Sequence, residues 1–303
     1  MFCKKDGSVS FHKSDSLLQV PDTQIPPLRG VTAMCIDTLL HSPATLTIAK
    51  RKLLSVYRLD TTKLSLFKKD VSVMPSNNTN AGSVTLIVQE KTVVCSADGF
   101  QYQLVHLDSN QTIPLFPYEA SQMNPVAIVI GEGEFLLVTA SVQGVGLGVF
   151  ISSSGDPVRG TLQWPAIPVS IVFQSPYVIS LLRNNSIQIH NYMTQELVQT
   201  LKLPNENPQS LSLAHYPLDI KLHINPTALS NDSPSSPTYI PAGCIQVVVV
   251  FKHKVMGLRM VPWELQVDTF LESGLVRQAV ILGEQKLMLE EESDSKVASR
   301  FLT

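Results

Sequence analysis

The sequence predicts a mainly β protein: a β-propeller that continues into the first helices of an α-solenoid. Three observations support this prediction. Short β-rich runs, separated by turn residues, fill the chain before Pro262. A strand entered through a tight turn recurs about every 45 residues, the length of a propeller blade. At Pro262 the spacing of apolar residues changes from the period of strands to that of helices.

The recurring strand is the clearest repeat in the chain. It begins at Ser8, Leu53, Gly99, Val145, Ser186 and Lys254. The pairs Asp6-Gly7, Asp98-Gly99 and Asn184-Asn185 precede or open it, and they suit the positive-φ positions of hairpin turns. The first four intervals are about 40 to 50 residues long, whereas the last is about 68. The longer interval contains residues 216–243, rich in Pro, Ser and Asn, which predict a mobile surface loop.

Each repeat is expected to hold four antiparallel strands, as a propeller blade does. The predicted blades span residues 31–71, 83–115, 126–161, 167–203 and 209–260, and residues 8–20 supply the last two strands of an earlier blade. The ring is therefore expected to be incomplete at its start. Either the C-terminal blade lends strands to close it, or the chain lacks an N-terminal blade that relatives have; we favour the second explanation.

Two short amphipathic helices are predicted after the blades. Apolar residues follow a helical spacing from Trp263 to Leu271 and again from Val276 to Leu287. Pro262 suits the start of the first helix and Gly274 its end. The resulting domain division is a propeller at residues 1–262 and the start of an α-solenoid at residues 263–303.

Composition and charge exclude several classes of protein. No apolar run approaches the roughly 18 residues of a membrane span, and the N-terminus has no apolar signal region, so a cytoplasmic location is expected. Charged residues make up 16% and the net charge is -2, which gives no electrostatic footprint for nucleic acid. The four cysteines are far apart and are expected to be buried thiols rather than zinc ligands or disulfides: Cys3, Cys35, Cys95 and Cys244.

No catalytic, cofactor-binding or metal-ligating residue is predicted, so the chain is not expected to be an enzyme. The seven histidines have no metal-binding spacing, and His106 and His190, at corresponding places in their repeats, are expected to face outward. Gly144 to Gly148 resembles a phosphate loop, but a strand follows it where a helix is needed. These glycines are expected to allow a close strand approach instead, and Asp98 and Asp156 to shape turns.

Arg159 and Trp164 are the candidate partner-binding residues. Arginine and tryptophan are enriched among the residues that dominate protein interfaces. The alternative is structural: Trp164 packs between blades and Arg159 is solvated.

Several motifs resemble the citron homology (CNH) domain. They are residues 131–138 (GEGEFLLV), 148–151 (GVFI), 155–164 (GDPVRGTLQW), 176–182 (PYVISLL) and 187–201 (IQIHNYMTQELVQTL). The helical stretch at residues 265–280 is similar to the start of the clathrin-repeat-like solenoid in the Rab-binding subunits of the CORVET and HOPS tethering complexes. The resemblance is to the vacuolar sorting subunit and the TGF-beta-receptor-associated protein of that family.

This resemblance implies a non-catalytic tether subunit with a propeller that binds a GTP-loaded Rab GTPase. It also implies contacts with the other Vps-C core subunits and a cytoplasmic protein held peripherally on endosome or vacuole membranes through its partners. A second possibility is that the chain is a CNH regulatory or scaffold domain that binds other small GTPases or signalling proteins. The helices after Pro262 favour the tether subunit.

Overall fold

The computed structural model describes residues 2–3, 6–12, 18–19, 28–36, 45–59, 64–72, 82–141, 143–203, 207–213, 247–285 and 287. The chain divides into two compact units, Met1–Ser210 and Leu211–Thr303. The loop predicted at residues 216–243 lies outside the described residues.

Four sheets of four antiparallel strands make up most of the first unit. In chain order their strands are β3 (Ala33–Ile36), β4 (Thr45–Lys50), β5 (Leu53–Leu59) and β6 (Leu64–Ser72); β7 (Leu86–Glu90), β8 (Val93–Ala97), β9 (Gln101–His106) and β10 (Gln111–Pro117); β11 (Ala127–Gly131), β12 (Glu134–Ala140), β13 (Gly146–Ser152) and β14 (Leu162–Trp164); and β15 (Pro168–Gln174), β16 (Tyr177–Leu182), β17 (Ser186–Asn191) and β18 (Leu197–Lys202). We call these sheets blades 1 to 4.

The blades follow one another as in a β-propeller. Within each blade every strand pairs with the next along the chain, and the first strand of each blade contacts the first strand of the next. This arrangement confirms the predicted mainly β propeller fold. The strand bounds agree with the prediction within a few residues. In blade 3, however, β14 lies beyond the expected end at residue 161, because a long connection with a bridge between Ile151 and Pro157 precedes it.

Shorter elements precede blade 1. Strands β1 (Phe2–Cys3) and β2 (Val9–Ser10) pair with each other. Isolated bridges join Val9 to Leu28 and His12 to Gln19. Of the strand pair expected within residues 8–20, the structure shows β2 and the bridge between His12 and Gln19; residues 13–17 and 20 lie outside the described residues.

Turn chemistry explains most of the hairpins. Gly7 and Asn185 have φ angles of 73° and 59°, as predicted for the tight turns that they occupy. At Asp98-Gly99 the prediction is wrong, because Gly99 does not have a positive φ. There the Asp98 carboxylate accepts hydrogen bonds from the backbone N–H groups of Phe100 (2.8 Å) and Gln101 (3.0 Å) and so forms the turn itself.

The hydrophobic core lies between neighbouring blades. One cluster joins blades 1 and 2, and a larger one joins blades 2, 3 and 4. Tyr102 of blade 2 also makes polar contacts with blade 3. Its hydroxyl donates to the Val138 carbonyl oxygen (2.8 Å) and accepts from the Val126 N–H (2.9 Å). Apolar packing and this hydroxyl together fix the two blades against each other.

The second unit holds the remaining strands and two helices. Strand β19 (Pro208–Leu213) begins just before the division and forms a three-stranded sheet with β20 (Val247–Phe251) and β21 (Val255–Leu258), the fifth consecutive blade in the chain. Helix α1 spans Trp263–Glu272, and helix α2 spans 276–285. Gly274 has a φ of 72° directly after α1, as its predicted role at the helix end requires.

Candidate partner-binding surface

Arg159 lies in the long connection between β13 and β14 of blade 3, and its guanidinium is fixed from three directions. Nη2 donates to the Glu134 carboxylate at 2.7 Å. The guanidinium carbon lies 5.4 Å from the ring centroid of Phe150 and 5.0 Å from that of Tyr192. Because Tyr192 belongs to blade 4, these cation–π contacts join two blades. The Arg159 side chain is 27% exposed, so it is not simply solvated, as the alternative prediction had it, and it still reaches the surface.

Trp164, the second candidate, lies inside the protein. Its side chain is only 1% exposed and packs over Gly148, where an added Cβ would come within 2.6 Å of the indole. The indole meets the His190 ring of blade 4 edge to face at 6.0 Å. Trp164 therefore packs between blades 3 and 4, which agrees with the structural alternative in the sequence analysis.

Two exposed apolar side chains flank Arg159. Val158, next to it in sequence, is 46% exposed, and Met193 in the β17–β18 turn of blade 4 is 42% exposed. The two loops approach closely, since a Cβ on Gly160 would lie 2.8 Å from the Gln195 side-chain oxygen. We call the surface formed by Val158, Arg159 and Met193 the Arg159 surface.

The Arg159 surface is held by hydrogen bonds within its two loops. The Asn191 carboxamide accepts from the backbone N–H of Met193 at 2.9 Å, and Ser154 donates to the Asp156 carboxylate at 2.8 Å. Asp156 thus shapes a turn, as predicted. A surface built on ordered loops loses little conformational entropy when a partner binds.

Sequence reasoning did not find Glu134, Tyr192 or Met193. Glu134 pairs with Arg159 across 25 residues, and Tyr192 and Met193 come from the following blade. The blade repeat itself was the signal that could have found them, because it places the β13–β14 and β17–β18 connections at the same end of adjacent blades.

His190 corrects a prediction. It was expected to face outward, yet it is 3% exposed, because its strand presents this face to Trp164 of blade 3. Burial lowers the pKa of its imidazole to about 4. Its Nδ1 and the Nε1 of Trp164 are both buried and make no hydrogen bond within the described part of the chain.

The predicted close approach of the glycine-rich segment is confirmed. A Cβ at Gly146 would lie 2.7 Å from Pro168, and one at Gly148 would meet Trp164. This segment leads into β13, a strand, whereas a phosphate loop leads directly into a helix. Cys95 is buried as expected, and burial raises the pKa of its thiol; Cys35 is half-buried, and the side chains of Cys3 and Cys244 lie outside the described residues.

Among the described residues, no group of three or more His, Cys, Asp or Glu side chains is placed to hold a metal ion. In the same part of the chain, none of the helices has both the length and the apolar character needed to cross a membrane.

The CNH domain family matches residues 1–212, more than half of the chain. The chain belongs to the CNH-domain family. Both candidate residues, and all of blades 1 to 4, lie within the matched region. The resemblance seen in the sequence motifs is confirmed at this level, and the Arg159 surface lies within the matched region.

Three relatives share similarity with this CNH domain protein. The transforming growth factor-beta receptor-associated protein 1 homolog of Danio rerio is 25% identical over 183 residues, which cover 57% of this chain and 19% of the relative. Vacuolar protein sorting-associated protein 3 of Schizosaccharomyces pombe is 28% identical over 150 residues, 48% of this chain and 16% of the relative. The protein of the same name in Saccharomyces cerevisiae is 26% identical over 106 residues, which cover 33% of this chain and 10% of the relative. The chain spans less than a fifth of the length of these curated relatives.

Solved structures with a similar fold include the AfRom2 CNH domain and BBS1N in complex with ARL6DN. The AfRom2 domain has a TM-score of 0.47 and 14% identity, and the match covers 83% of this chain and 71% of that one. For BBS1N, in crystals soaked with lead, the TM-score is 0.46 and the identity is 13%. That match covers 77% of this chain and 67% of the BBS1N chain.

Proposed function

We propose that this CNH domain protein is a non-catalytic subunit of a CORVET-like membrane-tethering complex, and that its propeller binds a GTP-loaded Rab GTPase during vesicle fusion and vacuolar protein sorting. The observation that carries the proposal is the CNH match over residues 1–212 together with the similarity to vacuolar protein sorting-associated protein 3. The protein acts in the cytoplasm and is held peripherally on endosome or vacuole membranes through its partners.

The Arg159 surface is the proposed contact with the Rab GTPase. Val158 and Met193 offer apolar area around a cation that is already fixed, a combination typical of the residues that dominate interfaces. The Phe150 and Tyr192 rings hold the guanidinium plane, so Arg159 loses little side-chain freedom on binding. Trp164 packs in the interior, between blades 3 and 4.

Residues 263–303 are proposed to begin the α-solenoid, with residues 1–262 as the propeller. Helices α1 and α2 and the turn between them expose large apolar side chains: Leu265, Leu271, Leu275, Val276 and Val280. Two short helices cannot bury both of their faces alone, and stacked helical repeats cover such faces with neighbours. We assign this region to contacts with the other Vps-C core subunits.

The test is a pull-down of the purified chain against endosomal and vacuolar Rab GTPases, each loaded with a GTP analogue or with GDP. A cooperative thermal melt first shows that the sample is folded. GTP-dependent binding of an early-endosomal Rab supports a CORVET-like subunit, and preference for a late-endosomal or vacuolar Rab points to HOPS. Absence of Rab binding by a folded sample refutes the Rab assignment, and GTP-dependent binding of a Rho-family GTPase instead supports a CNH regulatory domain.

Point variants locate the contact. Met193→Asp and Arg159→Ala are expected to weaken Rab binding at least tenfold, about 1.4 kcal/mol. Val169→Asp is the matched control, because Val169 is also exposed but lies at the opposite end of blade 4, where β15 begins. Equal binding by all three variants would rule out the Arg159 surface.

A further inference from the structure

A pocket lies at the other end of the blades, between blade 2 and the segment that leads into blade 3. Its volume is about 270 Å³, which is the size class of a single large side chain rather than of a cofactor. It is lined by Thr85, Gly99, Tyr118, Ala120, Met123, Asn124 and Pro125. No lining residue carries a charge, so the pocket is suited to an apolar group.

Hydrogen bonds hold the pocket walls in place. The Tyr118 hydroxyl donates to the Asp98 carbonyl oxygen, and the Tyr118 N–H donates to the Phe100 carbonyl oxygen at 3.0 Å. The N–H of Met123 donates to the Glu119 carbonyl oxygen at 3.1 Å. Tyr118 and Met123 are themselves buried. The pocket is therefore preformed, and a ligand does not have to order it.

The rim adds features that suit a peptide. Phe100, directly after the lining residue Gly99, is 56% exposed and extends the apolar area beyond the pocket. Asn124 is exposed at the rim, and its carboxamide can both donate to and accept from a peptide backbone. An apolar pocket beside such an amide fits one anchoring side chain of an extended segment.

The Arg183 side chain flanks the pocket, and the backbone of Arg51 lies near it. The Arg183 guanidinium donates to the Gln122 carbonyl oxygen, next to the lining residue Met123. The Arg51 carbonyl oxygen accepts from the N–H of Val84, next to the lining residue Thr85. Both side chains are exposed. Glu119, next to the lining residue Ala120, is also exposed, and its carboxylate accepts hydrogen bonds from the Ser121 N–H and hydroxyl.

The two ends of blades 1 to 4 differ in charge. In the described turns and connections, the pocket end carries Arg51, Lys52 and Arg183 against Asp98 and Glu119, and the end with the Arg159 surface carries Lys91 and Arg159 against Asp108, Glu132, Asp156 and Glu196. Asp98 is buried. The pocket end is thus the more basic one, which favours an acidic partner by charge complementarity.

From these observations we infer that the pocket binds a linear peptide segment of a partner protein, in which one large apolar side chain is flanked by acidic residues. The apolar side chain enters the pocket beside Tyr118 and Met123, and the flanking carboxylates meet Arg183 and the more basic end of the blades. This site is separate from the Arg159 surface and does not depend on Rab binding.

The experiment measures fluorescence anisotropy of a fluorescein-labelled decapeptide with a central phenylalanine flanked on each side by two glutamates. Gly99→Leu is expected to weaken binding at least tenfold, because Gly99 lines the pocket while its added Cβ meets nothing within 4 Å. Gly131→Leu is the matched control. A Cβ at Gly131 also meets nothing within 4 Å, but Gly131 lies at the opposite end of the blades and does not line the pocket. If Gly99→Leu does not fold, Ala120→Trp, at an exposed lining position, replaces it.

The peptide itself provides the remaining comparisons. Replacing the phenylalanine with alanine should abolish binding, and replacing the glutamates with lysines should weaken it more at low salt than at high salt. Arg183→Gln should weaken binding of the acidic peptide severalfold. No binding of the acidic peptide at millimolar concentration, equal binding of the alanine peptide, or an unaffected Gly99→Leu variant would each overturn the inference. Because the assay contains no Rab, its failure is distinct from failure of the proposed function.

Discussion

Replacing His190 with glutamine tests the packing between blades 3 and 4 through its dependence on pH. Burial lowers the pKa of this imidazole from 6.5 to about 4, so the ring is neutral in the folded chain at pH 7. In the unfolded chain the ring takes up a proton as the pH falls through about 6.5. Between these two pKa values the unfolded state binds more protons, and stability must therefore fall as the pH is lowered.

The size of the effect follows from the two pKa values. Each pH unit below 6.5 removes up to about 1.4 kcal/mol, so at pH 5 the His190 contribution to the free energy of unfolding is lower by about 2 kcal/mol. At pH 8 the glutamine variant should be less stable than the original chain by about 1 kcal/mol, because the edge contact with Trp164 is lost. By pH 5 this deficit should disappear or reverse.

Urea unfolding, followed by circular dichroism at pH 8, 7, 6 and 5, measures the difference between the two chains. His106→Gln, at a half-buried position of β9 in blade 2, controls for removing a histidine elsewhere. The His106→Gln variant should still lose unfolding free energy between pH 8 and pH 5, because His190 is unchanged in it. A difference between His190→Gln and the original chain that stays constant from pH 8 to pH 5 would show that His190 is not held neutral by burial.

Three further changes test other contacts. Gly148→Ala should cost roughly 1 to 3 kcal/mol of unfolding free energy, since the new Cβ would lie 2.6 Å from Trp164, whereas Gly131→Ala, with open space, should change stability little; equal thermal melts for the two would contradict the packing. Asp98→Ala should cost roughly 1 to 3 kcal/mol through the loss of two backbone hydrogen bonds, and Asp98→Asn, which keeps an acceptor oxygen, should recover part of this in denaturant titrations. Cys95 should resist iodoacetamide at pH 8 until the chain unfolds, because burial raises the pKa of its thiol; peptide mass spectrometry of the native protein would detect early labelling if this is wrong.

The blade architecture could be predicted from the sequence because turn residues and strand periodicity are local signals. Asn185 and Gly7 occupy the positive-φ positions that their sequence suggests, and Pro262 and Gly274 bound helix α1. Gly99 was predicted wrongly because the Asp98 side chain, rather than the glycine, forms that turn. Asp6-Gly7 and Asp98-Gly99 have the same local sequence, but only Gly7 has a positive φ.

The Arg159 surface could be predicted only in part. Arg159 and Trp164 stand out by residue type, but their surroundings depend on contacts between blades. The burial of His190 follows from the position of Trp164, 26 residues earlier in the chain, and the Tyr192 ring reaches Arg159 from another blade. The pocket at the other end has no motif at all, because it is formed where a turn and a connecting segment meet in space.

The Tyr102 hydroxyl has a consequence for how the propeller opens. It donates to the carbonyl of Val138 in β12 and accepts from the N–H of Val126, just before β11, while Val138 and Val126 also bond to each other. Local separation of blade 3 from blade 2 must break both Tyr102 hydrogen bonds in one event, whereas the bond between Val138 and Val126 lies within blade 3 and can survive. The amide proton of Val126 should then exchange with solvent at the free energy of blade separation, and that of Val138 only at the higher free energy at which blade 3 itself unfolds.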